Sequence, residues 1–266
     1  MRTWMSAVTG AVLAFAGMAG TTSTPASAAT GPEYVALGDS YASGVGAGSY
    51  DSAAGDCRRS TLDYPSLWAA AHGDYTLKDV SCSGATIADV RAEQLPAVTA
   101  GTDLVTLTVG GNDAQFTSVV QACLTQSESY CATATQWMSV YARGRMVTEL
   151  AALYKDVRAR APQARIVVLG YPRALSPTGT CPLVDIGSAK RTAMNGLADA
   201  LAEGTRAAAA KEPVEFVDVR DAFEGHGACG SDPWINDLNA GTAVFHPTLM
   251  GYLAGYDARL GEVTGG

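Results

Sequence analysis

The chain has 266 residues, of which 47% are hydrophobic, and 18 Lys and Arg against 26 Asp and Glu give it a net charge of −8. These charges are scattered and form no basic stripe that could neutralise nucleic-acid phosphates, so nucleic acid is not expected as a partner. Beyond the N-terminal leader, no segment approaches the roughly 20 apolar residues of a membrane helix. No linker or charge run divides the chain, and a single sizeable domain is predicted.

The N-terminus has the pattern of an export signal. Arg2 supplies a positive start, a short apolar stretch follows, and the small residues Ala26-Ser27-Ala28 provide a cleavage site. We therefore expect residues 1–28 to be a signal peptide and residues 29–266 to form the mature domain of a secreted protein.

Five short runs of apolar and β-branched residues, bounded by turn residues, are predicted as strands. They are Glu33–Leu37, Tyr75–Val80, Asp103–Val109, Arg165–Leu169 and Val214–Val219. Helical patterns lie between them, notably Trp137–Arg160 and Ser188–Lys211, and a last helix is expected after Pro247. This alternation predicts an α/β domain whose parallel sheet is covered on both faces, with ligands at the carboxyl ends of the strands.

Three of these strand ends carry residues suited to chemistry. Ser40 follows the first strand in Gly38-Asp39-Ser40, Gly84 follows the second, and Asn112 follows the third, while His246 lies near the C-terminus. Acyl transfer from an ester needs a nucleophile, a base and donors for the oxyanion. We predict Ser40 as nucleophile, His246 as base, and an oxyanion hole made by the backbone N–H groups of Ser40 and Gly84 and the side-chain amide of Asn112. A side chain at position 84 is expected to obstruct close approach of the backbone to the substrate.

These blocks resemble those of the SGNH, or GDSL, hydrolases. Gly38–Gly44 looks like the first block, Gly84 falls at the glycine block, Gly110–Asp113 matches Gly-x-Asn-Asp, and His246-Pro247 matches the last block. The chain is most similar in pattern to secreted bacterial lipases, esterases and phospholipases A1 with six cysteines. The resemblance implies a three-layer, flavodoxin-like fold with a five-stranded parallel sheet, the same nucleophile, base and oxyanion residues, and neither metal nor cofactor.

The carboxylate that usually orients the histidine is missing. Many family members have an aspartate three residues before it, where this chain has Ala243, and the nearest upstream carboxylate is Asp237. Some similar members use a backbone carbonyl instead. We therefore expect a dyad of Ser40 and His246 in which the carbonyl of Ala243 or Val244 accepts the Nδ1 proton of the histidine.

Six cysteines with no C-x-x-C pair favour disulfides in an oxidising compartment over a metal site. Cysteine spacing alone does not choose among the pairings. Pairing in sequence order is expected because it closes three separate loops, Cys57–Cys82, Cys123–Cys131 and Cys181–Cys229.

Simpler interpretations exist for several of these residues. Gly-Asp-Ser and Gly-Gly-Asn-Asp are also common turn sequences, and Asp39 is expected as a turn residue rather than a catalytic acid. His226, in a glycine-flanked loop, is the alternative base. The segment Phe116–Met146, which contains Trp137, is expected to pack in the core, with a wall of the acyl pocket as the alternative, and Trp234 is a pocket candidate.

The function expected from these residues is serine ester hydrolysis, with lipid acyl esters such as phospholipids preferred as substrates. The alternatives are a carbohydrate O-deacetylase of the same fold and a secreted, non-catalytic binding module. The expected partners are a lipid or small ester substrate and, transiently, a lipid surface, and the expected state is a monomer.

Overall fold

The computed structural model describes residues 31–265 together with Met1 and Trp4. Apart from those two positions, the predicted signal peptide lies outside the described residues.

A five-stranded parallel sheet in the order β2-β1-β3-β4-β5 forms the centre of the domain. Its strands are β1 Glu33–Gly38, β2 Thr76–Asp79, β3 Thr102–Thr108, β4 Arg165–Leu169 and β5 Glu215–Val217. Both faces of β1, β3 and β4 are buried almost throughout, as expected for parallel strands covered by helices on both sides. The five predicted strands and the predicted fold class are confirmed.

Seven α-helices surround the sheet in the described part of the chain. They are α1 Tyr64–Ala71, α2 Ile87–Asp89, α3 Phe116–Thr125, α4 Glu128–Arg143, α5 Arg145–Arg160, α6 Ser188–Ala209 and α7 Ala258–Thr264. A π-helical segment, Gly251–Asp257, leads into α7. Parallel strands are joined by right-handed crossovers. With this strand order, the crossover from β1 to β2 places α1 on one face of the sheet, and the later crossovers place α2 to α6 on the other face. Trp68 of α1 donates its indole N–H to Thr264 at the C-terminus (2.9 Å), while α4 and α5 pack against α6.

The helix predicted over Trp137–Arg160 is wrong in its bounds. Helix α4 begins earlier, at Glu128, because the Ser127 side chain accepts the N–H of Tyr130 and caps the first turn. The helix then breaks at Gly144, whose backbone angles (φ −114°, ψ −94°) are not helical, and α5 starts at the next residue.

Three disulfides cross-link segments around the sheet. They join Cys57 to Cys82, Cys123 to Cys131, and Cys181 to Cys229, which is the order expected from the sequence. Within the described part of the chain, no helix is both long and apolar enough to cross a membrane.

The strand order reverses between β1 and β3. In open α/β sheets a crevice opens at the carboxyl ends of the strands where the order reverses. Ser40 follows β1 and Asn112 follows β3, so these two residues flank that crevice.

Candidate active site

Ser40 lies in a tight turn held by its neighbours. Gly38 has φ +135°, and an added Cβ would lie 2.3 Å from the carbonyl oxygen of Thr108, so only glycine fits where β1 leaves the sheet. Asp39 donates its backbone N–H to the Thr108 carbonyl (2.9 Å) and accepts the N–H of Tyr41 on its carboxylate (2.9 Å). Asp39 is therefore a buried turn residue, and Ser40 projects from the turn it builds.

His246 meets Ser40 from the other end of the chain. Its Nε2 lies 2.8 Å from the Ser40 Oγ, although 206 positions separate the two residues in sequence. The Tyr41 hydroxyl donates to the carbonyl of Phe245, which ties the nucleophile turn to the histidine loop. The two predicted reacting groups are thus brought into hydrogen-bonding contact.

A backbone carbonyl orients the imidazole. The Nδ1 of His246 lies 3.1 Å from the carbonyl oxygen of Val244, while the carbonyl of Ala243 accepts the backbone N–H of His246 (3.0 Å). A carbonyl oxygen can only accept, so Nδ1 carries the proton and Nε2 is free to accept the Ser40 hydroxyl proton. The Asp237 carboxylate instead accepts the N–H of Asn239 (2.9 Å).

The charge state of His246 suits a base. Burial is the main cause that lowers the pKa of His246 to about 4, the positive charge of Arg58 lowers it further, and the bonds to the Val244 and Ala243 carbonyls oppose both. The imidazole is therefore neutral at pH 7.

Three donors lie close to this pair and remain available. Among the described residues, the backbone N–H groups of Ser40 and Gly84 donate to no protein acceptor. Asn112 donates one amide hydrogen to the carbonyl of Ala85 (3.0 Å), which fixes the side chain and leaves its second hydrogen free. Gly84 has φ +88°, but an added Cβ there would meet no atom of another described residue, apart from its chain neighbours, within 4 Å. The glycine is therefore required by its backbone conformation rather than by crowding within the protein.

The Tyr171 hydroxyl connects the nucleophile turn to the oxyanion turn. It donates to the Asp39 carboxylate and accepts the backbone N–H of Gly111 (3.0 Å). Gly111 leaves room for this contact, since a Cβ at that position would lie 3.3 Å from the tyrosine ring and hydroxyl. Burial raises the pKa of Asp39 to about 7, and the Tyr171 bond opposes that shift.

A cavity of about 320 Å³ opens beside these groups, a size suited to a small ligand. Its polar end contains Ser40, Gly84, Asn112 and His246. Its other end lies between α3 and α6 and is mainly apolar, with Phe116, Thr117, Val120, Pro172, Ala198 and Leu201.

Other residues singled out in the sequence lie elsewhere. The ring of His226 stacks on Trp234 at 3.8 Å, and its Nδ1 lies 2.9 Å from the carbonyl of Asp232. Neither of these two rings lines the cavity, and Trp137 is 68% exposed on the surface of α4. The pocket wall includes Phe116, Thr117 and Val120 of α3, so this part of the segment Phe116–Met146 agrees with the alternative interpretation, while the core position expected for Trp137 is wrong. The sequence did not reveal α3 as a separate helix.

Sequence reasoning also missed two positioning residues. Asn236 exchanges backbone hydrogen bonds with Phe245 and His246, and its amide donates to the carbonyls of His246 (3.1 Å) and Pro247 (3.0 Å). No local pattern marks this role. Tyr171 had a usable signal, because it follows Gly170 at the end of β4, on the same sheet edge as the other site residues.

Comparison with known proteins shows the family of the chain. A model of the GDSL-like lipase/acylhydrolase family matches residues 36–254. The chain is 42% identical to a lipase of Streptomyces rimosus over 95% of this chain and 93% of that protein, and 43% identical to lipase 1 of Streptomyces coelicolor over 84% and 83%.

Two solved structures have the same fold. The extracellular lipase of Streptomyces rimosus superposes with a TM-score of 0.83 at 42% identity, covering 87% of this chain and 99% of that one. Phospholipase A1 of Streptomyces albidoflavus NA297 gives a TM-score of 0.81 at 41% identity with the same coverage. The chain belongs to the GDSL-like lipase/acylhydrolase family, whose members are serine carboxylic-ester hydrolases.

Proposed function

We propose that this enzyme hydrolyses lipid acyl esters through an acyl-enzyme on Ser40. The observation that carries the proposal is the 2.8 Å contact between the Ser40 Oγ and His246 Nε2 at the polar end of a cavity with an apolar interior. Neutral His246 takes the proton of Ser40 as the hydroxyl oxygen attacks the ester carbonyl. The oxyanion then faces the N–H groups of Ser40 and Gly84 and the amide of Asn112.

The second half of the reaction returns the proton. His246 protonates the alcohol oxygen as the carbon–oxygen bond breaks, and the acyl group stays on Ser40. Water then loses a proton to His246, attacks the acyl-enzyme and releases the acid, and the serine oxygen regains its proton. The Val244 carbonyl keeps the imidazole in the required tautomer throughout, without the negative charge of a carboxylate.

The apolar end of the cavity supports an acyl chain longer than acetate. Phe116 and Val120 of α3 and Leu201 of α6 line a space that a sugar acetate has no chain to fill. The carbohydrate deacetylase alternative has no comparable support.

A bulky side chain in this space tests the acyl site. Thr117 lines the cavity and is exposed, while the next residue, Ser118, is exposed but does not line it. On p-nitrophenyl esters, Thr117→Trp should lower the ratio of octanoate to acetate turnover, and Ser118→Trp should leave it unchanged. Wild-type activity confined to acetate would overturn the lipid proposal, and no ester hydrolysis at all would favour the binding module.

We also propose that the protein is exported and works as a monomer. Three disulfides support an oxidising compartment, and the related Streptomyces rimosus lipase is extracellular. N-terminal sequencing of protein from the culture medium should begin near Ala29, and an intact Met1 would contradict export.

A further inference from the structure

Arg58 does not itself line the catalytic cavity, but it contacts Thr242, which does. The Cys57–Cys82 disulfide and the bond from the Ser83 N–H to the Cys57 carbonyl (3.0 Å) hold its backbone beside the loop that ends in Gly84. Its guanidinium reaches the histidine loop, where Nη1 lies 3.5 Å from the carbonyl oxygen of Thr242. Arg58 therefore spans the gap between the oxyanion loop and the histidine loop.

The guanidinium is held in place without a counter-charge. Its Cζ lies 5.1 Å from the ring centroid of Tyr50, and Nη2 donates to the Tyr50 hydroxyl (3.3 Å). That hydroxyl also accepts the N–H of Gly46 (2.9 Å), which fixes the tyrosine. Within residues 31–265, Arg58 forms no salt bridge, whereas eight other arginines do. Its remaining donors and its charge are available to a ligand.

The chemistry of the dyad sets which part of a substrate reaches Arg58. His246 must protonate the leaving alcohol, so the alcohol portion of the ester lies on the side of the histidine loop. The acyl portion then points the other way, into the apolar space between α3 and α6. Arg58 contacts Thr242 in the histidine loop and consequently faces the alcohol portion.

An unpaired arginine here is significant because the chain as a whole carries a net charge of −8. A substrate with a negative group on its alcohol is repelled by that overall charge unless a local cation offsets it. Guanidinium matches phosphate in particular, since its planar fork can donate two parallel hydrogen bonds to phosphate oxygens.

We propose that Arg58 binds a phosphate carried on the alcohol portion of the ester, and that it thereby makes glycerophospholipids preferred over neutral glycerides with the same acyl chains. The short glycerol backbone places such a phosphate close to the scissile ester. This inference rests on the proposed ester hydrolase activity and adds to it a specificity determinant for the leaving group.

The test compares two soluble substrates with identical acyl chains, dihexanoyl phosphatidylglycerol and dihexanoylglycerol. The readout is the ratio of their kcat/KM values, which cancels changes common to both substrates. Arg58→Gln should lower this ratio about 10- to 100-fold, the range expected for loss of a charge-assisted hydrogen bond. Arg58→Lys should lower the ratio less, because lysine keeps the positive charge but cannot donate two parallel hydrogen bonds to the phosphate.

A matched control removes the same charge elsewhere. Arg160 is exposed at the C-terminal end of α5, just before β4, and so lies toward the opposite edge of the sheet. Arg160→Gln should leave the ratio as in the wild type. An unchanged ratio in Arg58→Gln, or an equal fall in Arg160→Gln, would overturn the role of Arg58. A wild-type enzyme that hydrolyses neither substrate would instead overturn the proposed function.

Discussion

The hydroxyl of Tyr171 offers a sharp test of how the site is held together. It donates to the buried Asp39 carboxylate beside Ser40 and accepts the N–H of Gly111 beside Asn112. Tyr171→Phe keeps the ring and removes only this bridge. The substitution leaves two groups without this partner, the buried backbone N–H of Gly111 and one carboxylate oxygen of Asp39.

The expected effect on stability follows from those two groups. Each buried polar group left unpaired costs about 1–3 kcal/mol, so the free energy of unfolding should fall by about 2–6 kcal/mol. The nucleophile and oxyanion turns also lose their link, and a small misplacement of reacting groups can cost about 100-fold in rate. We expect kcat to fall about 10- to 100-fold, with a much smaller change in KM.

Urea unfolding and steady-state kinetics on a p-nitrophenyl ester measure both effects. Tyr154→Phe is the matched control, because Tyr154 is also fully buried but its hydroxyl has no hydrogen-bond partner within residues 31–265. This control should be neutral or slightly stabilising. A loss of stability in Tyr171→Phe no larger than that in Tyr154→Phe, or an unchanged kcat, would show that the Tyr171 hydroxyl does not hold the site together.

Further predictions concern the oxyanion, the base, its orientation and a buried acid pair. Asn112→Ala should lower kcat about 10²- to 10³-fold, and a smaller loss would remove the amide from the oxyanion hole. Because burial lowers the pKa of His246 to about 4, the acidic limb of the kcat/KM profile should have its midpoint near pH 4; a midpoint near the ordinary histidine pKa of about 6.5 would contradict this. Asp237→Ala should change kcat very little, whereas a large loss of kcat would identify the Asp237 carboxylate as the group that orients His246. Burial, followed by the charge of Asp79, raises the pKa of the Asp63 carboxyl well above its ordinary value, so above about pH 4 the folded state holds a proton that the unfolded state has lost, and stability should decline as pH rises. Asp63 caps α1 by accepting the backbone N–H of Ser66 (2.7 Å), and Asp63→Asn keeps an acceptor there. This variant should raise the melting temperature at pH 8 more than at pH 4, and equal shifts would refute the titration.

The strands were predictable because a buried parallel strand has a strong local signature. Short apolar runs that stop at glycine mark β1 and β3, and the same glycines precede Ser40 and Asn112. The fold rule that ligands gather at the carboxyl ends of strands then brings these two residues to one edge. Composition and order along the chain were sufficient for this part.

The supporting contacts were not predictable, because they join loops that are distant in sequence. The Tyr41 bond to Phe245 spans 204 positions, and the Tyr171 bond to Asp39 spans 132. No periodicity encodes such pairs. The break at Gly144 was hidden for another reason, since the surrounding residues favour helix and a single glycine in a helical pattern is commonly tolerated.

The central claim is that Ser40 forms the acyl-enzyme, and covalent labelling tests it most directly. A fluorophosphonate reacts only with a serine activated by its base, and mass spectrometry of peptides locates the adduct. The wild type should carry one adduct on the peptide that contains Ser40, while Ser40→Ala should carry none and His246→Ala should react far more slowly. An adduct on another residue, or one of undiminished yield in Ser40→Ala, would contradict the account.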